Sequence, residues 1–238
     1  VNAVLTDLYV LKKPDAVLCQ RRNEVHPFDG SMAEGKLEFL MQKNNTAFAM
    51  CATHSKKRPH NITVVRTFDG RVMDMAELMV RRYEAVQESG KTGSLVGSKP
   101  AFVVIGEQFE MNEKFKAVKN LLVDFYRGRV VETLDLVGLE SCIVLTAKGD
   151  DQVLMRVYRI ALKASGTAIP TVQLVKMGPF IDFAIGRIRA ASEELWKAAM
   201  RYPKEVTGGK KVKNITHSKL GHKFGRVQVG QQNIDTIQ

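Results

Sequence analysis

Apolar residues in this chain are gathered into short runs, and that distribution constrains its fold more than any other feature. Ala101–Ile105 is among the longest, and it is only strand-length. A membrane-spanning helix needs roughly 18 consecutive apolar residues, so none is expected. Amphipathic stretches with helical spacing lie between the runs, which predicts a sheet covered by helices, an α/β architecture. The 238 residues suffice for one large domain or two small ones, with a core that needs no disulfides. Cys19, Cys51 and Cys142 are far apart and fit a reducing compartment rather than a disulfide framework.

Leu5, Leu8, Tyr9 and Leu11 could form one helical face that Pro14 ends, so residues 1–27 read as an arm. Ser31 and Glu34 have capping-box spacing and open a predicted helix bearing Leu37, Leu40 and Met41, closed by Asn44-Asn45. Ala47–Ala52 and Ile62–Phe68 predict two strands, with Thr53–Asn61 as a basic loop between them. Asp74-x-x-Glu77 predicts a helix start, followed by Met75, Leu78, Met79, Tyr83 and Val86 at helical spacing and a stop at Gly90. Ala101–Ile105 predicts a strand, and Asn112 caps a helix with Phe115, Val118, Leu122 and Phe125 on one face and Gly128 at its end. Farther on, Ser141–Ala147 and Val153–Leu162 flank Lys148-Gly149-Asp150-Asp151 and predict a hairpin. Thr171–Met177 and Asp182–Arg189 predict two further strands. Ser192 caps a last helix whose Leu195, Trp196 and Ala199 are expected to face inward. Gly70-Arg71-Val72, Glu77-Leu78 and Arg82-Tyr83 recur as Gly186-Arg187-Ile188, Glu194-Leu195 and Arg201-Tyr202, a weak echo of a duplicated strand-to-helix unit.

Charge narrows the function. Lys and Arg number 36 against 25 acidic residues, a net of +11, which points to a polyanionic partner. Eight of those cations lie between Arg201 and Gln238, against Glu205 and Asp235 alone, so +6 of the excess sits in that stretch. A second concentration is the loop His54-Ser55-Lys56-Lys57-Arg58-Pro59-His60. Clustered cations neutralise phosphates and give salt-sensitive, largely sequence-independent affinity. Residues 208–226 space Lys210, Lys211, Lys213, His217, Lys219, His222, Lys223 and Arg226 with Gly, Asn and Ser, so this tail is expected to order on a partner. Phe224 fits either stacking on a base or packing on the protein. Neither basic segment has apolar anchors beside it, which disfavours a membrane partner.

Catalytic patterns are weak by comparison. Ala85-Val-Gln-Glu-Ser-Gly90-Lys91-Thr92 is a loose phosphate-binding loop, but a working one follows a strand and opens a helix, and here the predicted order is reversed. Cys51-x-x-His54 with His60 lacks the second ligand pair of a structural zinc site. No catalytic residue, metal or cofactor is therefore assigned. An RNA-binding scaffold leads. The alternatives are a nucleotide-dependent enzyme using Gly90-Lys91-Thr92, and a protein-interaction module whose basic tail serves nuclear targeting.

The segment Thr53–Asn61, followed by Phe68-Asp69-Gly70 and Asp74-Met75-x-Glu77-Leu78, resembles the Brix-domain family of ribosome-assembly factors. So do Leu8-Tyr9-x-Leu11-Lys12-Lys13-Pro14, His26-Pro27-Phe28, Met177-Gly178-Pro179, Asp182-Phe183, Ala191-Ser192-x-x-Leu195, Leu220-Gly221 and Gly225-Arg226-Val227. The resemblance covers nearly the whole chain. It implies two similar α/β halves, each a sheet with helices, over approximately 28–135 and 136–203. These make a Brix domain at 28–203, behind the arm and ahead of a basic tail at 204–238. It further implies a non-enzymatic role in the nucleus and nucleolus, without a cofactor. The implied obligate protein partner is the regulator of ribosome synthesis. The implied cargo is 5S rRNA with ribosomal proteins uL18 and uL5, brought into the large-subunit (60S) precursor in support of pre-rRNA maturation, with large-subunit rRNA as a further contact. His54, Lys56, Lys57, Arg58, His60 and the tail cations then become the RNA-contact candidates. Nucleotide titration separates the enzymatic alternative: no saturable ATP or GTP binding is expected, and binding abolished by Lys91→Ala would revive it.

Overall fold

A long central pair holds the strands between residues 48 and 189 in one sheet. The computed structural model describes residues 1–19, 25–86, 96–136, 138–166, 169–202 and 214–227. They fall into two units, Val1–Trp196 and Lys197–Gln238. The first unit contains strands β1 (Phe48–Thr53), β2 (Asn61–Phe68), β3 (Arg71–Glu84), β4 (Ala101–Ile105), β5 (Ser141–Lys148), β6 (Gln152–Lys163) and β7 (Thr171–Arg189). Its helices are α1 (Asn2–Lys12), α2 (Ser31–Lys43), α3 (Gln108–Met111) and α4 (Glu113–Tyr126), and α5 (Glu193–Ala199) begins in it.

The sheet order is β1-β2-β3-β7-β6-β5-β4. β1-β2-β3 and β5-β6-β7 are each antiparallel meanders, and the antiparallel β3·β7 pair joins them. β4 precedes position 135 in sequence yet pairs with β5, in parallel. A parallel pair needs a long crossover, and α3 with α4 supplies it. The mixed α/β class is as expected, with both meanders in a single sheet.

Each face has its own apolar cover. On one side Phe115, Val118, Leu121 and Leu122 of α4 and Val4 and Leu8 of α1 pack with Ile62, Leu78, Val153, Met155 and Phe183. On the other, Leu37 and Met41 of α2 pack with Val25, Val65, Val72 and Met75. Val64 and Val65, adjacent in β2, belong to different clusters because successive strand side chains point to opposite faces. The N-terminal arm is docked through α1, where Val4 and Leu8 are each 2% exposed. Asn112 caps α4 as expected, its side chain accepting a hydrogen bond from the Lys114 amide at 2.9 Å.

Several expectations need correction. The helix predicted from Asp74 is the strand β3. Its Met, Ala, Leu and Glu residues suit a helix, but Met75 packs toward α2 while Ala76 and Leu78 pack toward α4. A strand buried on both faces reads as a continuous apolar run, which periodicity cannot distinguish from a buried helix. The stop at Gly90 lies outside the described residues. The two strands predicted at 171–177 and 182–189 are one 19-residue strand, β7. Gly178, at φ +81°, and Pro179 sit where its register against β6 shifts, so the chain bulges without leaving the sheet. Ser31 lies inside α2 rather than capping it, and Gly30 holds the cap position without a side-chain bond. The Ser192 hydroxyl caps α5, accepting from the Leu195 amide at 3.3 Å. No residue of α5 is fully buried: Leu195 and Ala199 are half-buried and Trp196 is 43% exposed. The echo fails as a duplicated unit: Glu77-Leu78 lies in β3, whereas Glu194-Leu195 lies in α5.

The second unit carries local structure that its polar composition does not predict. β8 (Ile215–His217) and β9 (Lys223–Gly225) form an antiparallel hairpin. Backbone and hydroxyl bonds build it in place of a core: the Ser218 amide donates to the His222 carbonyl at 2.9 Å, and the Leu220 and His222 amides both donate to the Ser218 hydroxyl at 3.2 Å. Gly221, at φ +82°, supplies the turn.

Phe115 is fully buried at the centre of the larger cluster. Phe115→Ala is expected to cost about 3–5 kcal/mol in denaturant unfolding. A loss under about 1 kcal/mol would show that α4 does not hold the sheet as described.

Candidate nucleic-acid interface

The basic loop predicted at residues 54–60 joins β1 to β2, and its shape follows from short-range bonds. Thr53 and Asn61 pair across the end of the hairpin. Beyond them, the His60 amide donates to His54 Nδ1 at 3.3 Å, and the two imidazole rings lie 4.9 Å apart. The next four residues make a tight turn. The Ser55 amide donates to the Arg58 carbonyl at 3.1 Å, while the Arg58 amide donates to the Ser55 carbonyl at 3.2 Å and to its hydroxyl at 3.1 Å. Lys56 and Lys57 occupy the two central positions of that turn. Both are exposed, and neither has an ion-pair partner among the described residues. The His60 carbonyl accepts from the Val80 amide at 2.9 Å, which ties the loop to β3.

Arg58 behaves differently from the two lysines. Its Nε lies 3.5 Å from Oε2 of Glu77, a β3 carboxylate only 3% exposed. Glu77 is the centre of a buried polar cluster. Arg187 of β7 donates to it through Nε at 2.8 Å, a terminal guanidinium nitrogen at 2.7 Å and the backbone amide at 3.3 Å. Asn61 Nδ2 donates at 3.2 Å. The β3·β7 register shifts here, so Gly186 and Arg187 face Glu77 together. Gly186 leaves the necessary room, because a Cβ at that position would stand 3.0 Å from the Cβ of Glu77. The Arg187 guanidinium also lies 4.4 Å from the centre of the Phe28 ring. Burial by itself opposes ionisation of Glu77, yet the hydrogen bonds and charge of Arg187, with Arg58 adding, hold its carboxyl below the usual range. The same hydrogen bonds push Arg187 upward against its own partial burial.

The structure thus brings His54, Lys56, Lys57, Arg58 and His60 together in one loop. In the second unit Lys219, His222, Lys223 and Arg226 share the exposed hairpin, and His217 lies in β8. Phe224 is largely exposed in β9. Lys210, Lys211 and Lys213 lie outside the described residues, as does the Gly90-Lys91-Thr92 segment. Cys51 lies in β1 with its thiol pushed up to about 11, first by burial and then by Cys19. Among the described residues, no three His, Cys, Asp or Glu side chains converge as metal ligands would.

Sequence reasoning missed Glu77, Asn61, Gly186 and Arg187. By local pattern Asp74-x-x-Glu77 reads as a helix start, and nothing local links Glu77 to a residue 110 positions later.

The Brix domain profile matches residues 1–187. A ribosome production factor 2 homolog of Drosophila melanogaster is 40% identical over 240 residues, covering 100% of this chain and 73% of that protein. Homologs bearing the same name in Schizosaccharomyces pombe and Homo sapiens are 37% and 36% identical, covering 99% and 94% of this chain and 75% and 72% of those proteins. Among solved structures, a probable ribosomal biogenesis protein from Aeropyrum pernix K1 superposes on 69% of this chain and 80% of its own with a TM-score of 0.39 at 12% identity, a likeness too slight to support an inference.

The depressed Glu77 carboxyl sets a pH dependence. Its folded value lies below the unfolded one, so its stabilisation is present above the unfolded value of about 4.3 and is lost as pH falls through the folded value. Glu77→Gln is expected to cost roughly 2 kcal/mol at neutral pH, in line with the loss of charge-assisted hydrogen bonds. That gap should narrow below about pH 4. Urea titrations of both proteins across this range check it, and a constant gap would contradict the assignment.

Proposed function

Since this chain belongs to the Brix-domain family, among the ribosome production factor 2 proteins, we propose that it is a ribosome-assembly scaffold that grips 5S rRNA. A part in ribosome biogenesis follows from the family; the finer assignment rests on the basic loop. The observation that carries it is the pair of exposed, unpaired lysines, Lys56 and Lys57, held at the tip of a turn whose backbone is already ordered. Order before binding lowers the entropy lost on binding, and two free ammonium groups suit a phosphate backbone.

In this reading the protein performs no chemistry and works by position. The loop and the tail cations bind phosphates of 5S rRNA, with large-subunit rRNA as a further contact. The α/β body docks a protein partner, the regulator of ribosome synthesis. Ribosomal proteins uL18 and uL5 travel with the 5S rRNA into the 60S precursor, in the nucleolus. The exposed cations of the β8–β9 hairpin, Lys219, His222, Lys223 and Arg226, support a second phosphate contact.

Replacing Lys56, Lys57 and Arg58 together with Ala is expected to lower 5S rRNA retention on pre-ribosomal particles by roughly tenfold or more near physiological salt. Retention unchanged across several salt concentrations would remove the loop from the interface.

A further inference from the structure

The three cations of the loop are not equivalent. We propose that Arg58 is a positioning residue, latched to the buried Glu77 carboxylate, and that the RNA-phosphate contacts of this loop are made by Lys56 and Lys57. The proposal rests on the RNA-binding reading above and divides its labour among residues.

Arg58 is fixed at both ends. Its backbone amide and carbonyl close the turn with Ser55. Its side chain, 40% exposed, bends toward a carboxylate that is 3% exposed. A phosphate that drew Arg58 outward would have to remove it from that carboxylate. Glu77 would keep Arg187 and Asn61, but in a desolvated site it would lose one of the two cations that offset its charge. The gain from a phosphate contact is therefore offset by the contact given up. Lys56 and Lys57 carry no such debt, because no described acid pairs with them.

Glu77 gives the latch its rigidity. It sits in the middle of β3, bonded on one side to Asn61 at the start of β2 and on the other to Arg187 of β7. The loop is consequently indexed to the central seam of the sheet and not only to its own hairpin. The turn's two lysines then present their charges from a fixed frame, which a flexible four-residue tip would not do.

Salt dependence separates contact from positioning. Each phosphate contact contributes about 0.7–0.9 to the slope of log K against log salt, whereas a residue that only orders the loop changes affinity without changing that slope. The 238-residue chain and its single variants Lys56→Met, Lys57→Met, Arg58→Met and Glu77→Gln are titrated with a 5S rRNA transcript over a range of KCl concentrations. Each lysine variant should flatten the slope by about 0.7–0.9. Arg58→Met and Glu77→Gln should weaken binding several-fold at every salt concentration and leave the slope as in the parent.

A slope lowered in Arg58→Met as much as in the lysine variants overturns the latch and makes Arg58 a contact. Unchanged affinity in Arg58→Met overturns it as well. Lysine variants that bind like the parent remove the loop from the RNA interface, which overturns the reading on which the latch rests and is a different failure. Arg58→Met keeps the test decisive should Glu77→Gln unfold, since Arg58 is partly exposed and outside the apolar clusters.

Discussion

The pairing of β3 with β7 is the constraint on which the rest of this structure depends. Each strand is the inner edge of an antiparallel meander, and only their union makes one seven-stranded sheet. Both strands are buried over much of their length, and the α1–α4 cover packs on residues of both meanders, so it needs the seam closed, whereas the apolar contacts of the α2 cover lie with β1, β2 and β3. Glu77 lies at that seam. A buried carboxylate without a partner is costly, and its bidentate partner comes from the opposite meander. The Glu77–Arg187 pair is thus fully satisfied only when the two meanders meet in this register, with Gly186 leaving the space for it.

This arrangement links the core to the basic loop. Asn61 starts β2, bonds Glu77, and pairs with Thr53 where the loop leaves β1. Arg58 reaches the same carboxylate from the end of the turn. Apolar burial thus stabilises the body of the protein, one buried polar cluster sets its register, and Lys56 and Lys57 remain exposed at the loop tip without a described ion-pair partner. More than half of the surplus positive charge lies elsewhere, in the stretch from Arg201 to Gln238. There a hydrogen-bonded hairpin, not a core, gives residues 214–227 their form.

Where local pattern and burial agreed, the fold was legible in the sequence. α4 has an Asn cap and one apolar face as expected, although Leu121 and Tyr126 complete its buried side and Phe125 is only half-buried. The β5–β6 hairpin follows from β-branched runs about a Gly-Asp turn, and β1 and β2 from short apolar runs about a basic loop. Legibility failed where an element has two buried faces or none. β3 is buried on both sides, so its Met, Leu and Ala residues imitate a helix. α5 has a cap and an apparent apolar stripe but no fully buried residue. β7 contains Gly178-Pro179, a local signal for a break that its neighbour β6 bridges by a shift in register.

Of the candidate site, the sequence by itself determined where the loop lies, which cations it carries and which family the chain joins, because these depend on residue type and short spacing. It could not rank the cations. Lys56, Lys57 and Arg58 are adjacent and alike in charge, and only the tertiary structure sets a buried carboxylate beneath one of them. That carboxylate is held by an arginine 110 residues away, across a strand pairing that no local pattern encodes. Charge is a property of the sequence; its division between an arginine paired to a buried acid and two exposed lysines depends on burial, which exists only once the sheet has closed.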